Sequence, residues 1–156
     1  MRLARLTLLS MLSLGDMSNR CQSEEAVVPV PDCPSLIPAS RFPQLLVFGT
    51  TLRQMGSSDN RVINSDSVYR ALYTGVHYTP PAIDFTTHTL LIGKMLINTS
   101  GQSSTQHVTK TCAGSYTYSV QITRGLGQAY MEVVYHAVVE KLPQNAPVDF
   151  QVTVLP

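Results

Sequence analysis

The stretch that decides the fold is PAIDFTTHTLLIGKMLI, residues 81–97. Its second half, residues 89–97, is apolar almost without alternation, which is typical of a β-strand covered on both faces. Pro80 and Pro81 stand at its start, and each proline locks its own φ and keeps the preceding residue out of the helical region. The pattern predicts a central, buried strand that begins after an extended entry.

The segments that follow predict partner strands. Residues 116–123 and 148–154 alternate apolar and polar side chains, as in strands with one buried and one solvated face. Residues 130–139 are rich in β-branched side chains and apolar on both faces apart from Glu132 and His136. This segment predicts a second central strand.

The remaining segments predict shorter elements. Residues 44–50 are apolar and end near Gly49, which predicts a first strand. Residues 98–105 are turn-forming and polar, which predicts a loop. Residues 107–112 then predict the first strand of a β-meander that continues through the alternating strands.

One short helix is predicted at residues 66–72. Residues 64–67 offer side chains for an N-cap, and Val68, Ala71 and Leu72 fall at i, i+3 and i+4 as one apolar stripe. The fold class predicted from all of these patterns is mainly β, an antiparallel sheet or sandwich-like domain with one short helix.

Length and composition set limits on function. A chain of 156 residues is long enough for one domain and a short extension. Charged residues make up 13%, about half the usual share, and the formal net charge is +1. A net charge this close to zero gives no positive electrostatic field that would attract nucleic acid, so no nucleic-acid partner is expected. No apolar run reaches the roughly 18 residues that a membrane-spanning helix needs.

The N-terminus has the order of a secretory signal. Arg2 and Arg5 precede a short apolar run that ends at Leu14, so residues 1–20 are predicted to be a signal peptide. The alternative is an amphipathic N-terminus of a cytosolic protein. Cys21 follows where bacterial lipoproteins carry their lipid-modified cysteine, although Arg20 departs from the small residue usual before it. Lipidation of Cys21 is the prediction.

Residues 21–43 hold five prolines and little that forms a periodic apolar face. They are predicted to be an extended linker behind the lipid anchor, which leaves residues 44–156 as the β-rich domain. The expected location is the cell envelope, as an outer-membrane lipoprotein attached to the membrane through its lipid only. Free secretion is the alternative.

The chemistry-bearing residues form no catalytic or metal-binding motif in the sequence. The four histidines, which lack the spacing of zinc ligands, are His77, His88, His107 and His136. The nucleophile motif G-x-S-x-G is also absent from the sequence. Asp84, between Ile83 and Phe85, is interpreted as a turn residue whose oxygens accept backbone N–H groups. We therefore expect no enzyme, no catalytic residue, no metal and no cofactor.

The cysteines number three. If Cys21 carries lipid, Cys33 and Cys112 remain as a pair that an oxidising compartment allows to bridge, which would pin the linker to the sheet. The alternative is that Cys112 is a small buried core residue.

Several segments together resemble a known group of proteins. They are RVINS at residues 61–65, VYRAL at 68–72, IDF at 83–85 with TLL at 89–91, and VVEKLP at 138–143. In this combination the chain resembles uncharacterised secreted lipoproteins of the Bacteroidota and, more distantly, the C-terminal domain of the protease complex subunit PrcB. The resemblance implies a protein partner in the envelope and no established activity.

Two functions are consistent with these observations. The preferred one is a non-enzymatic envelope domain that binds or scaffolds another protein, for which a protease complex is the partner that the resemblance implies. The alternative is a carbohydrate or small-ligand binding module that uses the seven tyrosines and the polar loops. Oligomeric state is left open.

Overall fold

Two four-stranded sheets and one short helix make up the regular structure of the described residues. The computed structural model describes residues 33–42, 52, 54–75 and 77–156, all within one unit that spans residues 31–156. The elements, in chain order, are β1 (Ser35–Ile37), β2 (Ala39–Ser40), β3 (Ser58–Ile63), α1 (Asp66–Ala71), β4 (His88–Ile97), β5 (Gly101–Lys110), β6 (Tyr116–Arg124), β7 (Met131–Glu140) and β8 (Val148–Leu155). The predicted mainly β fold with one short helix is confirmed.

One sheet has the order β2-β7-β4-β3 and is antiparallel throughout. Its two inner strands, β4 and β7, are those predicted to be central, and all of their residues from Thr89 to Ile92 and from Tyr135 to Val139 are buried. Side chains on opposite faces of this sheet belong to two different apolar clusters. An apolar run without alternation therefore marks a strand covered on both sides, as predicted.

The other sheet has the order β1-β5-β6-β8, with β8 parallel to β6. The predicted β-meander is therefore wrong beyond the β5–β6 hairpin. Strand β7 pairs with β4 in the first sheet, because a strand that is apolar on both faces is stable only where both faces are covered. In strand β8, partly buried and exposed side chains alternate, and this strand lies in the sheet whose outer face is solvated.

The loop predicted at residues 98–105 is mostly strand. Strand β5 begins at Gly101 and pairs with β6 along its length, with a register shift between Ser103 and Thr105. Its polar side chains find partners within the sheet: the Tyr118 hydroxyl donates to Gln106 Oε1, and Gln106 Nε2 donates to Ser103 Oγ at 2.8 Å. Backbone pairing, which apolar periodicity does not report, forms this strand.

The folded domain begins before residue 44, where the boundary between linker and domain was predicted. β1 pairs with β5 and β2 pairs with β7, so residues 35–40 contribute one short strand to each sheet. The signal peptide, Cys21 and the predicted strand at residues 44–50 lie outside the described residues.

Helix α1 lies where it was predicted, but a different face is buried. Tyr69 and Leu72 are buried, whereas Val68 is 47% exposed. The buried face is shifted by one residue because the Tyr69 ring packs against Tyr73 and Phe85, and its hydroxyl donates to the carbonyl of Pro81 at 2.9 Å. Ser65 occupies the N-cap position without a side-chain cap hydrogen bond.

Candidate functional site

Asp84, the carboxylate singled out from the sequence, holds the turn before β4. Its Oδ1 accepts the N–H of Thr86 at 2.9 Å and the Thr86 hydroxyl at 2.6 Å, and its Oδ2 accepts the Thr87 hydroxyl at 2.9 Å. These hydrogen bonds, chiefly those from Thr86, lower the pKa of the Asp84 carboxyl below its usual value. Asp84 thus has the turn role predicted for it.

The described residues contain no group of three or more His, Cys, Asp or Glu that could hold a metal ion. His136 is the one buried histidine among them. Its Nε2 accepts the N–H of Phe42 at 2.8 Å, and its Nδ1 has no hydrogen-bond partner. Burial, with a smaller contribution from the charge of Arg41, lowers the pKa of His136 to about 4. His136 is therefore neutral at neutral pH.

Glu132, near the start of β7, is paired across the sheet. Lys94 on β4 is 2% exposed, and its Nζ lies 3.1 Å from Glu132 Oε1. A buried ammonium without a counter-charge would be costly, so this pair explains both polar residues in otherwise apolar strands. Lys94 was not singled out from the sequence because its partner lies on another strand.

Cys33 and Cys112 form a disulfide, with their Cα atoms 5.3 Å apart. Both residues are exposed, so Cys112 is not a buried core residue. The bridge fastens the chain just before β1 to the end of β5. It lies at the end of the sheet where β5 finishes and β6 begins.

The opposite end of the two sheets carries two connections that cross from one sheet to the other. Residues 98–100 link β4 to β5, and residues 125–130 link β6 to β7. The Ser100 N–H donates to the Gly127 carbonyl at 2.9 Å, and the Gly125 N–H donates to the Ser100 carbonyl at 2.7 Å. The Thr99 hydroxyl donates to the carbonyl oxygens of Gly125 and Gly127, at 2.8 and 2.7 Å.

Two glycines allow the two connections to approach this closely. A Cβ added at Gly125 would lie 2.3 Å from Ser100 Oγ, and one added at Gly127 would lie 3.0 Å from the same atom. The Gly127 N–H also donates to Ser100 Oγ at 3.0 Å. The loop is therefore held by side-chain and backbone hydrogen bonds to residues 99 and 100.

Leu126, between these glycines, is 103% exposed, and Tyr130 is 79% exposed. No charged residue occurs from residue 125 to residue 130. We call residues 125–130 the apolar tip. Its two glycines indicate a turn, and Tyr130 was predicted to begin the strand at residues 130–139; the signal that marks the segment is a leucine flanked by two glycines. The apolar tip is the candidate functional site.

Most of the tyrosines considered for ligand binding are buried. Five of the seven are buried, and Tyr78 is half-buried; the five are Tyr69, Tyr73, Tyr116, Tyr118 and Tyr135. Burial is the chief cause of the raised pKa of Tyr135, at about 12, and it also raises the pKa of Tyr118. Tyr130 alone is largely exposed, and it lies in the apolar tip.

Comparisons of the chain with protein-family models, with curated proteins and with solved structures found no match. In the described part of the chain, no helix is long and apolar enough to cross a membrane.

Proposed function

We propose that this protein is a non-enzymatic lipoprotein of the cell envelope whose β domain binds another protein through the apolar tip. The observation that carries the proposal is the full exposure of Leu126 in a loop that hydrogen bonds hold in place. Because these hydrogen bonds hold the loop backbone, binding through Leu126 orders less of the backbone than binding through a free loop would, so this side chain is suited to fill a pocket on a partner.

The composition of the apolar tip favours a protein partner. Tyrosine is enriched in the core of protein interfaces, where charged residues are depleted. Tyr130 lies four residues from Leu126, and neither has a charged neighbour within the tip. Other largely exposed apolar residues, such as Leu36 on β1, lie at different places in the fold.

The position of the apolar tip agrees with a tethered protein. Cys33 precedes β1 and lies at the end of the sheets opposite the apolar tip. Strand β5 runs from one of these ends to the other. Ten strand residues at about 3.3 Å each span roughly 30 Å. A lipid on Cys21 would hold the end that carries Cys33 near the membrane and leave the tip free to meet a partner.

The resemblance to PrcB suggests a protease as the partner. The domain would then act as a scaffold or docking subunit. Its own residues need no catalytic role in such a complex.

Site-specific photo-crosslinking tests this function. The full chain is expressed in its native host with a photo-reactive amino acid at position 126, and a matched chain carries it at position 121, which is exposed on β6. We expect one protein to be captured at position 126 and not at position 121, and to be lost when Tyr130→Ser is added. Equal capture at both positions would refute a role for the apolar tip.

A carbohydrate or small-ligand module remains the alternative. Tyr130 is the feature that favours it, because an exposed aromatic ring can stack on a sugar. Binding of the wild-type chain to a glycan array, lost in Tyr130→Ser but kept in Leu126→Ser, would support the alternative over protein binding.

The envelope location is tested separately through Cys21. A single lipid chain binds a membrane only marginally, and two or more make attachment stable. We expect wild type to stay in the membrane fraction and Cys21→Ser to leave it. Equal partitioning, with no incorporation of labelled palmitate, would mean that Cys21 carries no lipid.

A further inference from the structure

We propose that two copies of this chain associate through strand β8, which pairs with its own copy to join the two β1-β5-β6-β8 sheets into one. Strand β8 is the last strand of its sheet, and among the described residues only β6 pairs with it. An edge strand exposes backbone N–H and C=O groups that can accept another strand.

Among the described residues, the other outermost strands, β1, β2 and β3, are short or protected, although β1 and β2 pair with only three residues of β5 and two residues of β7. β1 and β2 have three and two residues. On β3, Arg61 forms an ion pair with Asp59 at 2.8 Å and also donates to the carbonyl of Gln54. Charged side chains and covering segments of this kind keep an edge from pairing with another chain.

Strand β8 has fewer of these protections, and its one charged side chain, Asp149, accepts a hydrogen bond from Gln151 Nε2 of the same strand at 2.8 Å. It has eight residues and pairs with β6 from Val148 to Leu155 without a register shift. Asp149 is its only charged residue, and no proline interrupts it. Its inward-facing residues, among them Phe150 and Val152, are only partly buried, although they pack against the core between the sheets. A partner strand would cover them.

The sequence of β8 is self-complementary when two copies run antiparallel with Gln151 on the two-fold axis. Residues directly opposite each other then point to the same face, so Phe150 lies opposite Val152 of the copy, and Val148 lies opposite Val154. On the outer face Asp149 lies opposite Thr153, and the two Gln151 side chains face each other. Apolar residues meet apolar residues, and no like charges meet.

Neighbouring registers that keep the apolar faces together are less favourable. Centring the axis on Val152 places Asp149 opposite the apolar Leu155. Centring it on Phe150 leaves five paired residues within β8 instead of seven. The register on Gln151 is therefore the one proposed.

Charge substitution tests the interface, and Gln121 provides a matched control. Gln121 and Gln151 are both exposed glutamines on the outer face of the same sheet, but Gln121 lies on the inner strand β6. Gln151→Lys places two ammonium groups opposite each other on the axis, whereas Gln121→Lys adds the same charge away from it. Like charges directly opposite each other across strands are destabilising.

Sedimentation equilibrium of the full chain is the measurement. We expect wild type and Gln121→Lys to sediment at twice the monomer mass of 17.1 kDa, and the dimer dissociation constant of Gln151→Lys to rise by at least about tenfold. A monomeric wild type at about 100 μM, or a dimer that Gln151→Lys leaves intact, would overturn the proposal.

Cross-linking tests the register itself. Gln151→Cys and Gln121→Cys are compared in full chains that also carry Cys21→Ser, which removes the other cysteine outside the Cys33–Cys112 bridge. Mild oxidation should give a covalent dimer of Gln151→Cys and leave Gln121→Cys monomeric. Equal cross-linking of the two variants, or none of Gln151→Cys, would contradict the register.

Discussion

The hydroxyl of Tyr135 on β7 donates a hydrogen bond to Oδ1 of Asn60 on β3, 2.7 Å away, across the intervening strand β4. Gly93 is the β4 residue opposite both of them. The Tyr135 ring lies over Gly93, because no side chain occupies that position. The contact therefore joins three strands on the face that packs towards the second sheet.

Gly93→Ala should destabilise the protein. The added Cβ would lie 2.1 Å from Cε2 of Tyr135 and 2.3 Å from Oδ1 of Asn60, so the ring must move and the hydrogen bond is lost. We expect a loss of about 1–3 kcal/mol in the free energy of unfolding, measured by urea denaturation. Gly56→Ala is the control, because nothing lies within 4 Å of a Cβ there. Equal stability of the two variants would contradict this packing.

Leu91→Ala tests the doubly covered sheet. Leu91 is 0% exposed on β4, so its truncation should cost about 2–5 kcal/mol through lost transfer free energy and the cavity left behind. Gln121→Ala, on the solvated face of β6, should change the free energy of unfolding by less than about 0.5 kcal/mol. Similar losses in both variants would show that β4 is not buried as described.

Because neutral His136 is buried, the free energy of unfolding should decrease in acid. Its pKa is about 4 in the folded protein and 6.5 in its ordinary state, so between these values the unfolded chain binds a proton that the folded chain does not. Stability contributed by neutral His136 is present above pH 6.5 and is lost as pH falls towards 4. At about 1.4 kcal/mol per pKa unit, the loss is on the order of 3 kcal/mol.

Urea unfolding at about pH 7 and about pH 4 measures this effect. His136→Gln keeps an acceptor for the Phe42 N–H but cannot be protonated, so its stability should depend less on pH than that of wild type. His107→Gln, at an exposed position, is the control and should keep the wild-type dependence. If His136→Gln also keeps that dependence, His136 is not its source.

Removal of the Cys33–Cys112 bridge should lower stability through the unfolded state. The bridge closes a loop with a sequence separation of 79 residues, and opening it gives the unfolded chain more conformations. We expect the double variant Cys33→Ser, Cys112→Ser to lose about 2–4 kcal/mol, and reduced wild type to match it. Cys21→Ser keeps the bridge and should unfold as wild type does. A double variant as stable as wild type would show that the bridge does not stabilise the fold.

Much of the strand pattern follows from local periodicity. Strands β4 and β7 were predicted as doubly covered because apolar residues follow each other without alternation, and β6 and β8 as singly covered because they alternate. The turn role of Asp84 was also predicted, since its hydrogen bonds are made within three residues. These features depend on residues near each other in the chain.

The candidate site was not predicted. Leu126 lies in a segment whose glycines indicate a turn, and no property of that segment alone says whether the leucine is covered or exposed. Its exposure depends on hydrogen bonds to residues 99 and 100, which are about 26 residues away in the chain.

The sequence by itself determined the fold class, the two central strands, the short helix and the presence of a cysteine pair able to bridge. Only the tertiary structure decided that β7 pairs with β4 in the other sheet and that β8 runs parallel to β6. It also decided that the polar residues of β5 and residues 35–40, which belong to the predicted linker, form strands. The physical reason is that periodicity reports whether a strand face is buried, whereas strand order is set by backbone hydrogen bonds and packing between distant segments. Those contacts leave no mark on either segment taken alone.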